Sequence, residues 1–241
     1  MNMSEERRPV GIIGAMEVEI EAILESAKIE KTELYGSIAF HVGTLSGTPV
    51  VVAYCHAGKV NSALCAQAMI DRYSPRAVIN VGVAGGIGPG IQIGDIVLAE
   101  SCVQYDYDLT AIEDCPLGSI EVPGQEEQIR FFPCDAHLVQ TLTAAAQGLY
   151  GHCHRGVVAT GDRFVADPAF GKWLHQTFGA LACEMEGASI AHVCLVNQVP
   201  CAVLRSISDN GNDDATVDFP TFAKESAHKA QQLLENTLYS Y

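Results

Sequence analysis

Four acidic residues stand beside predicted strands, where a buried carboxylate can take part in chemistry. Glu19 lies in the first turns of a predicted helix that follows an apolar run, and Asp209 follows the apolar run 201–206. Glu184 and Glu186 alternate along a strand predicted at 182–186, so we expect their side chains to share one face. A carboxylate near a buried strand end is costly unless it is paired or hydrogen-bonded. Taken singly, each also has an ordinary interpretation, such as a solvated helix residue for Glu19 or a turn residue for Asp209.

Taken together, the carboxylates suit the cleavage of an N-glycosidic bond. That reaction passes through a ribosyl cation with oxocarbenium character, and a purine leaves as an anion unless it is protonated. It therefore requires a general acid at the base, a general base on water, and groups that hold the ribose hydroxyls. Carboxylates fill all three roles when their environments separate their pKa values.

The elements that must position these residues alternate between short β-branched runs and longer helical stretches. Strands are predicted at 10–15, 50–54, 77–81, 95–99, 156–160, 182–186 and 201–206, and helices at 17–27, 60–73, 136–150, 187–197 and 221–239. Several strands are apolar on both faces, which indicates a sheet covered by helices on each side. This predicts an α/β fold, a three-layer α/β/α sandwich with a central mixed β-sheet. Residues 1–9 are interpreted as a short extension, residues 10–241 as one domain, and 105–133 as a long loop.

Glycines follow the strand predicted at 77–81, where a ligand crevice is expected in such a sheet. The run reads Gly82-Val83-Ala84-Gly85-Gly86-Ile87-Gly88-Pro89-Gly90. It is interpreted as a turn whose glycines allow close approach of the backbone to a ligand. A dinucleotide fold requires its glycines to open a helix, whereas these lead through Pro89 into another strand-like run, and no P-loop lysine follows. A tight connection without function remains the alternative.

Composition narrows the classes of function. The net charge is −15, from 29 acidic and 14 basic side chains. Such a surface repels phosphate backbones and anionic lipid, so neither nucleic acid nor a membrane is expected as a partner. We see no signal peptide and no apolar run of transmembrane length. Nine scattered cysteines indicate reduced thiols in the cytoplasm rather than a disulfide framework.

No metal and no cofactor are expected. The run His152-Cys153-His154 has metal-binding residue types. We expect a turn or a solvated strand end there instead, because adjacent residues rarely face one ion together.

Five segments occur in the order of a known family. They are Gly11-Ile12-Ile13-Gly14-Ala15-Met16-Glu17-Val18-Glu19, Gly82-Val83-Ala84-Gly85-Gly86, Ala159-Thr160-Gly161-Asp162-Arg163-Phe164-Val165, Glu184-Met185-Glu186-Gly187-Ala188 and Arg205-Ser206-Ile207-Ser208-Asp209. With them the chain resembles the bacterial 5′-methylthioadenosine/S-adenosylhomocysteine nucleosidases of the nucleoside phosphorylase superfamily. The resemblance covers the chain after residue 9 and implies a nucleoside phosphorylase-like fold.

The resemblance implies a role for each matching position. Glu19 is expected to activate water, and Asp209 to protonate adenine N7 while Ser208 holds its orientation. Arg205 is expected to help place the water and the carboxylates.

The same resemblance implies the binding contacts, with adenine nucleosides as substrates. Glu186 is expected to bind the ribose hydroxyls, and Met185 to pack against the sugar. Phe164 is expected to stack on adenine, while the backbone of Val165 reads its Watson–Crick edge. Gly85 is placed with these substrate-binding residues.

The pocket for the 5′ substituent is expected to include two apolar residues of one subunit and one of another. Met16 and Phe219 line it, and Ile112 completes it from a partner subunit. The resemblance therefore implies a homodimer.

Val83 departs from the pattern of many relatives, which have Ser or Thr at this position. A hydroxyl near the nucleophile is then missing, which costs about 1 kcal/mol of hydrogen bonding. We treat Val83 as a non-participant and expect Glu19 and Arg205 to hold the water.

Several related functions compete with this interpretation. A phosphorylase requires a site for phosphate, but Glu17 and Glu19 stand where superfamily phosphorylases have a glycine-rich phosphate loop, so hydrolysis is favoured. The segments around Glu184–Glu186, Arg205 and Tyr105 also resemble the branch that cleaves aminodeoxyfutalosine in menaquinone synthesis. A hydrolase acting on futalosine or AMP and a non-catalytic adenosine-binding module are two further candidates.

Overall fold

The computed structural model describes residues 8–211 and 215–238, with the side chains of the last helix described from residue 222. The strands are β1 (Val10–Gly14), β2 (Lys28–Tyr35), β3 (Ile38–Leu45), β4 (Thr48–Tyr54), β5 (Ala77–Gly86), β6 (Ile96–Gln104), β7 (Phe132–Pro133), β8 (His154–Thr160), β9 (Ala180–Glu184) and β10 (Cys201–Asp209). The helices are α1 (Glu17–Ser26), α2 (Lys59–Tyr73), α3 (Ala136–Tyr150), α4 (Pro168–Phe178), α5 (Gly187–Val196) and α6 (Ala215–Leu238).

The strands form one mixed sheet in the order β10-β6-β8-β9-β5-β1-β4-β3-β2, with the short β7 beside β6. Strand β5 pairs parallel with β1 and β10, and β4 pairs parallel with β1. Strand β10 also pairs antiparallel with β6. Because β6, β8, β9 and β5 are paired in succession, these four strands and β10 close into a ring.

The central strands are hydrophobic because both faces are covered. Every residue of β1, β5 and β10 is buried. Helices α1 and α3 pack against α6, and α2 packs against α5. The predicted α/β fold with a helix-covered mixed sheet is confirmed.

The structure corrects the interpretation of the glycine run as a turn. Strand β5 continues through Gly86, so the residues from Gly82 onward are strand residues and the chain turns only after them. Strand β9 ends at Glu184, two residues earlier than predicted, and α6 begins at Ala215 rather than at residue 221.

Strands β2, β3 and β7 and helix α4 were not predicted. Strand β2 is mostly exposed and carries four charged residues at the edge of the sheet, so it lacks an apolar signal. Helix α4 has a recognisable start, since the side chain of Asp167 accepts the N–H groups of Ala169 and Phe170, and Pro168 occupies the first helical turn.

The segment predicted as a long loop, 105–133, is irregular up to residue 131, but its last two residues form β7 and the segment is packed against the protein. Ile120 and Ile129 form an isolated bridge within it. Tyr105, Ile120 and Val122 are buried. Of the helices that the described residues form, none has the length and apolar character needed to cross a membrane.

Candidate active site

The candidate site lies where the carboxyl ends of β5 and β9 meet. The two strands approach from opposite directions, and Gly85 pairs with Cys183 close to the end of each. Gly85 also pairs with Asp209, the last residue of β10. A cavity of about 710 Å³, including its open mouth, lies at this junction. Its lining residues are Ala15, Met16, Glu19, Ala57, Val83, Ala84, Gly85, Arg163, Phe164, Val165, Cys183, Glu184, Met185, Glu186, Ser208 and Asp209.

Glu19 is a buried residue in the first turn of α1, and backbone N–H groups hold its carboxylate. Its Oε2 accepts from Ala15 N at 2.6 Å and from Met16 N at 2.9 Å, which satisfies donors that the helix start leaves free. Its Oε1 accepts from Val83 N at 3.0 Å. Burial raises the pKa of Glu19, while these hydrogen bonds and the positive charge of Arg205 oppose the rise. A raised pKa makes this carboxylate a stronger base.

Glycine makes room for two of the carboxylates. A Cβ on Gly82 would lie 2.7 Å from Oε1 of Glu19, and a Cβ on Gly85 would lie 2.9 Å from Oδ1 of Asp209. The glycines of β5 therefore allow close approach of acidic side chains to the strand, in addition to any approach of a ligand.

Asp209 is 2% exposed and is held at both of its oxygens. Oδ2 accepts from Ser208 Oγ at 2.9 Å, and Oδ1 accepts from Gly211 N at 2.8 Å. The carboxyl group is thus fixed in orientation on the wall of the cavity.

Glu184, on the cavity wall, links β9 to three other elements. Its carboxylate forms a buried ion pair with Arg205 and accepts a hydrogen bond from Thr160 Oγ1. Its Oε2 also accepts from Glu186 N at 3.0 Å and Gly187 N at 2.7 Å, at the start of α5. A negative charge at a helix N-terminus is favourable. Glu184 therefore supports the site and fixes the chain around Glu186.

Glu186 does not lie on β9, so the predicted alternation of Glu184 and Glu186 on one strand face is wrong. The chain leaves the strand after Glu184, and Glu186 precedes the first residue of α5. Its Oε1 accepts from Gly58 N at 2.8 Å. Burial and the negative charge of Glu184 raise the pKa of Glu186 to about 8.

Arg205 lies behind the cavity rather than on its wall. It is 1% exposed, and besides Glu184 it donates to Asn80 Oδ1 and to the carbonyl of Leu204 at 3.0 Å. Asn80 in turn donates to the carbonyl of Ile13 at 2.8 Å. The ion pair with Glu184 gives a structural basis for the expected role of Arg205 in placing the carboxylates. Its expected role in placing the water has no such basis, because Arg205 does not line the cavity.

The other predicted binding residues fall into three groups. Those on the cavity wall are Met16, Gly85, Phe164, Val165, Met185 and Ser208. Ile112 is 78% exposed and does not line the cavity of its own subunit. Phe219 lies within α6, but its side chain is outside the described residues.

Sequence patterns miss two features of the cavity. Val83, expected to be a non-participant, holds Glu19 through its N–H and lines the cavity with its side chain. Arg163 also lines the cavity, with its guanidinium 4.2 Å from the ring centroid of Phe170. No side-chain pattern reveals a backbone donor, whereas the position of Arg163 beside Phe164 is a usable signal.

Comparison with known proteins places this geometry in context. Residues 9–238 match the model of the phosphorylase superfamily. The chain is 37% identical over 222 residues to a 5′-methylthioadenosine/S-adenosylhomocysteine nucleosidase of Shewanella pealeana, covering 91% of this chain and 94% of that protein. It is 38% identical over 218 residues to an aminodeoxyfutalosine nucleosidase of Campylobacter jejuni, covering 90% of this chain and 93% of that protein.

A solved structure is similar over almost the whole chain. It is a mutant of the Helicobacter pylori 5′-methylthioadenosine/S-adenosylhomocysteine nucleosidase with 5′-methylthioadenosine in the active site. The TM-score is 0.90 at 35% identity, covering 97% of this chain and 99% of that one.

The free energy of unfolding should depend on pH through the titration of Glu186. Because its pKa is raised from 4.5 to about 8 in the folded protein, its stabilising contribution is complete below about pH 4.5 and is lost as the pH rises through about 8. We expect Glu186→Gln to gain stability relative to the parent between pH 5 and pH 8, by about 1 kcal/mol or more. Melting temperatures at one protein concentration should show this as a relative shift of about 2–4 °C. Parallel curves for the two proteins would contradict the assignment.

Proposed function

The chain belongs to the phosphorylase superfamily, and from this membership we propose that its cavity hydrolyses the N-glycosidic bond of 5′-methylthioadenosine and S-adenosylhomocysteine. The products are adenine and the 5′-thioribose. The observation that carries the proposal is the buried Glu19 carboxylate on the cavity wall, held by three backbone N–H groups and with its pKa raised by burial.

Glu19 is the general base in this proposal. It takes a proton from water as the water oxygen bonds to the anomeric carbon of the ribosyl cation. The three N–H groups hold the carboxylate in one position, so the water is presented in a defined direction.

Asp209 is the general acid. Its carboxyl group gives a proton to adenine N7 while the bond from the anomeric carbon to adenine N9 breaks, so adenine leaves as a neutral molecule. Ser208 and Gly211 hold the group in place by donating to its two oxygens.

The remaining residues of the cavity wall bind the substrate. Glu186 accepts hydrogen bonds from the ribose hydroxyls, and Met185 packs against the sugar. Phe164, 45% exposed at the cavity, stacks on adenine, and the backbone of Val165 reads its edge. Met16 takes the 5′ substituent. Arg205 is a positioning residue that acts through Glu184.

Charge favours water over phosphate as the nucleophile. Of the four acidic groups on the cavity wall, Glu184 is paired with Arg205 and Asp209 carries the proton that it gives to adenine, while the single guanidinium among the described lining residues is that of Arg163. Arg163 is held over Phe170 and lies 3.7 Å from Asp167. A phosphate would therefore meet the Glu19 carboxylate, and the described lining residues offer no second cation to neutralise it.

Aminodeoxyfutalosine is the second candidate substrate. The relative named for it is 38% identical to this chain, and the relative named for methylthioadenosine is 37% identical. The three substrates share adenine and ribose and differ at the 5′ position, so one set of carboxylates serves them all.

A homodimer is the proposed assembly. Val60 and Leu64 on α2 are 71% and 60% exposed, and Val196 at the end of α5 is 39% exposed. This apolar face adjoins the cavity, because Gly58 at the start of α2 donates to Glu186. In this proposed dimer the exposed Ile112 of the second copy completes the pocket for the 5′ substituent, as the family resemblance implies.

A cytoplasmic location is proposed for the protein. All nine cysteines are free thiols, and seven of them are buried. Free thiols in this number suit a reducing compartment.

Release of adenine tests the reaction and its substrate order. We expect methylthioadenosine, S-adenosylhomocysteine and aminodeoxyfutalosine each to yield adenine in phosphate-free buffer, with free methylthioribose from the first, because water is the nucleophile. Adenine is followed by chromatography in parallel reactions. Turnover that begins only when phosphate is added would identify a phosphorylase instead.

The two catalytic carboxylates are tested by isosteric amides. We expect Asp209→Asn and Glu19→Gln each to lose about 10²–10⁴-fold in kcat, since one proton transfer is removed in each case. Binding of a nucleoside, measured by calorimetry, should persist in Asp209→Asn. Turnover close to that of the parent in either variant would reject the role of that residue.

The proposed dimer contact at the apolar face of Val60, Leu64 and Val196 is tested by introducing a charged residue there. Leu64→Glu should convert the dimer to monomer in sedimentation velocity and lower turnover, because a buried unpaired carboxylate disfavours association. Leu149→Glu is the matched control, since Leu149 is 41% exposed on α3, away from this face. A parent protein that sediments as a monomer would exclude the proposed assembly.

A further inference from the structure

Three metal-ligating side chains meet at the amino ends of β6 and β8, and none of them lines the catalytic cavity. Asp95 immediately precedes β6, and His154 is the first residue of β8. The two strands pair in parallel with Val97 opposite His154. His152 lies two residues before the β8 pairing begins, so residues 57 positions apart in the chain reach one place.

The donor atoms converge on the Asp95 carboxylate. Nε2 of His152 is 2.8 Å from Oδ1, and Nε2 of His154 is 3.0 Å from Oδ2. The three ligand atoms all lie within 4.8 Å of one another. The Asp95 side chain is only 11% exposed, while the side chains of His154 and His152 are 32% and 62% exposed, so the group opens to solvent on the histidine side.

The alternating direction of side chains along an extended segment explains why both histidine rings face Asp95. Cys153, between the two histidines, packs against the hydrophobic core. Residues two apart in an extended segment point to the same side, so His152 and His154 share the opposite side. The sequence-based expectation of no metal rested on adjacent residues rarely facing one ion, but here the two ligand positions are alternate.

The backbone holds Asp95 before any ion arrives. Its Oδ2 accepts from Gln92 N at 2.9 Å, and its own N–H donates to the Gln92 carbonyl at 3.0 Å. Its carbonyl accepts from Ile207 N at 2.9 Å. The carboxylate is therefore preorganised, and it is tied to β10 two residues before Asp209.

We propose that Asp95, His152 and His154 form a binding site for a divalent transition-metal ion of the zinc class. Two imidazole nitrogens and one carboxylate are the ligand types that zinc, cobalt and nickel accept. Zinc bonds of about 2.0–2.2 Å place neighbouring ligand atoms about 3.3 Å apart, so modest adjustment of the exposed His152 ring accommodates an ion. When the ion binds, each neutral imidazole carries its proton on Nδ1 instead of Nε2, so the Nε2 lone pair faces the ion and water completes the coordination.

The site has a structural rather than a catalytic role. An ion there joins the starts of β6 and β8, two strands of the closed ring, through side chains from both. Among the described residues, two cations are close to the proposed ligands. Arg155, next to His154 in the chain, pairs with Glu100 at 2.8 Å. The Lys229 ammonium donates to the carbonyl of Gly94 at 2.9 Å and pairs with Glu225. Its engagement with these two acceptors keeps it from neutralising Asp95.

Metal titration of the full chain tests the proposal. Protein stripped with a chelator and dialysed is titrated with Zn²⁺ by calorimetry and with Co²⁺ by visible absorption. We expect one equivalent of each to bind and Zn²⁺ to raise the melting temperature. The Co²⁺ spectrum should show ligand-field bands without thiolate-to-cobalt charge transfer, which separates this site from any bound at cysteines.

Substitutions then locate the binding. His152→Gln, His154→Gln and Asp95→Asn should each weaken binding by at least about 100-fold and abolish the thermal shift. His228→Gln, which removes an exposed histidine of α6, is the matched control and should leave the affinity unchanged. Asp95→Asn keeps a side-chain oxygen that can accept the Gln92 N–H, so the variant is expected to fold. Loss of metal binding in it would then report the loss of the carboxylate ligand.

Two results would overturn the proposal. One is the absence of saturable binding to the parent protein, in which case the cluster is only a pair of imidazole–carboxylate hydrogen bonds. The other is binding of one equivalent that survives in the His152→Gln and His154→Gln variants, which places the ion elsewhere. Neither result depends on turnover, so the proposal stands apart from the proposed nucleosidase function.

Discussion

The ion pair between Arg205 and Glu184 allows this protein to gather acidic side chains in one buried place. Arg205 lies on β10 and Glu184 on β9, and the guanidinium also bonds to Asn80 on β5. A buried charge is tolerated only when it is paired and hydrogen-bonded. Burial raises the pKa values of Glu19 and Glu186, the negative charge of Glu184 adds to the rise at Glu186, and the charge of Arg205 opposes both rises. The cavity therefore depends on a residue that does not line it.

Closure of the ring sets the geometry around that ion pair. Because β10 pairs with both β5 and β6, and β9 with β5, the carboxyl ends of strands running in opposite directions meet at Gly85. Asp209 and Cys183 flank this glycine from either side. A side chain at Gly82 or Gly85 would collide with a carboxylate oxygen. The absence of side chains at these two positions of β5 therefore allows the carboxylates of Glu19 and Asp209 to lie close to the strand backbone.

Much of the fold could be predicted where burial leaves a clear pattern. Strands β1, β5 and β10 begin at the predicted residues, although β5 and β10 continue beyond their predicted ends at 81 and 206, and α3 has its predicted bounds. Prediction failed at the edge, because β2 owes its structure to pairing with β3 rather than to apolar residues. It also failed at Glu186, where the strand ends earlier than the alternation of polar and apolar residues implied.

The sequence by itself determined the class of fold, the carboxylates proposed as acid and base, and the family resemblance, because residue type and order carry that information. Only the tertiary structure decided which atoms meet. The N–H of Val83 donates to Glu19, Glu184 forms an ion pair with Arg205, and two histidines contact the Asp95 carboxylate. These contacts join residues 21 to 64 positions apart. Their physical origin is strand pairing, which sets register across the sheet and leaves no local trace in the chain.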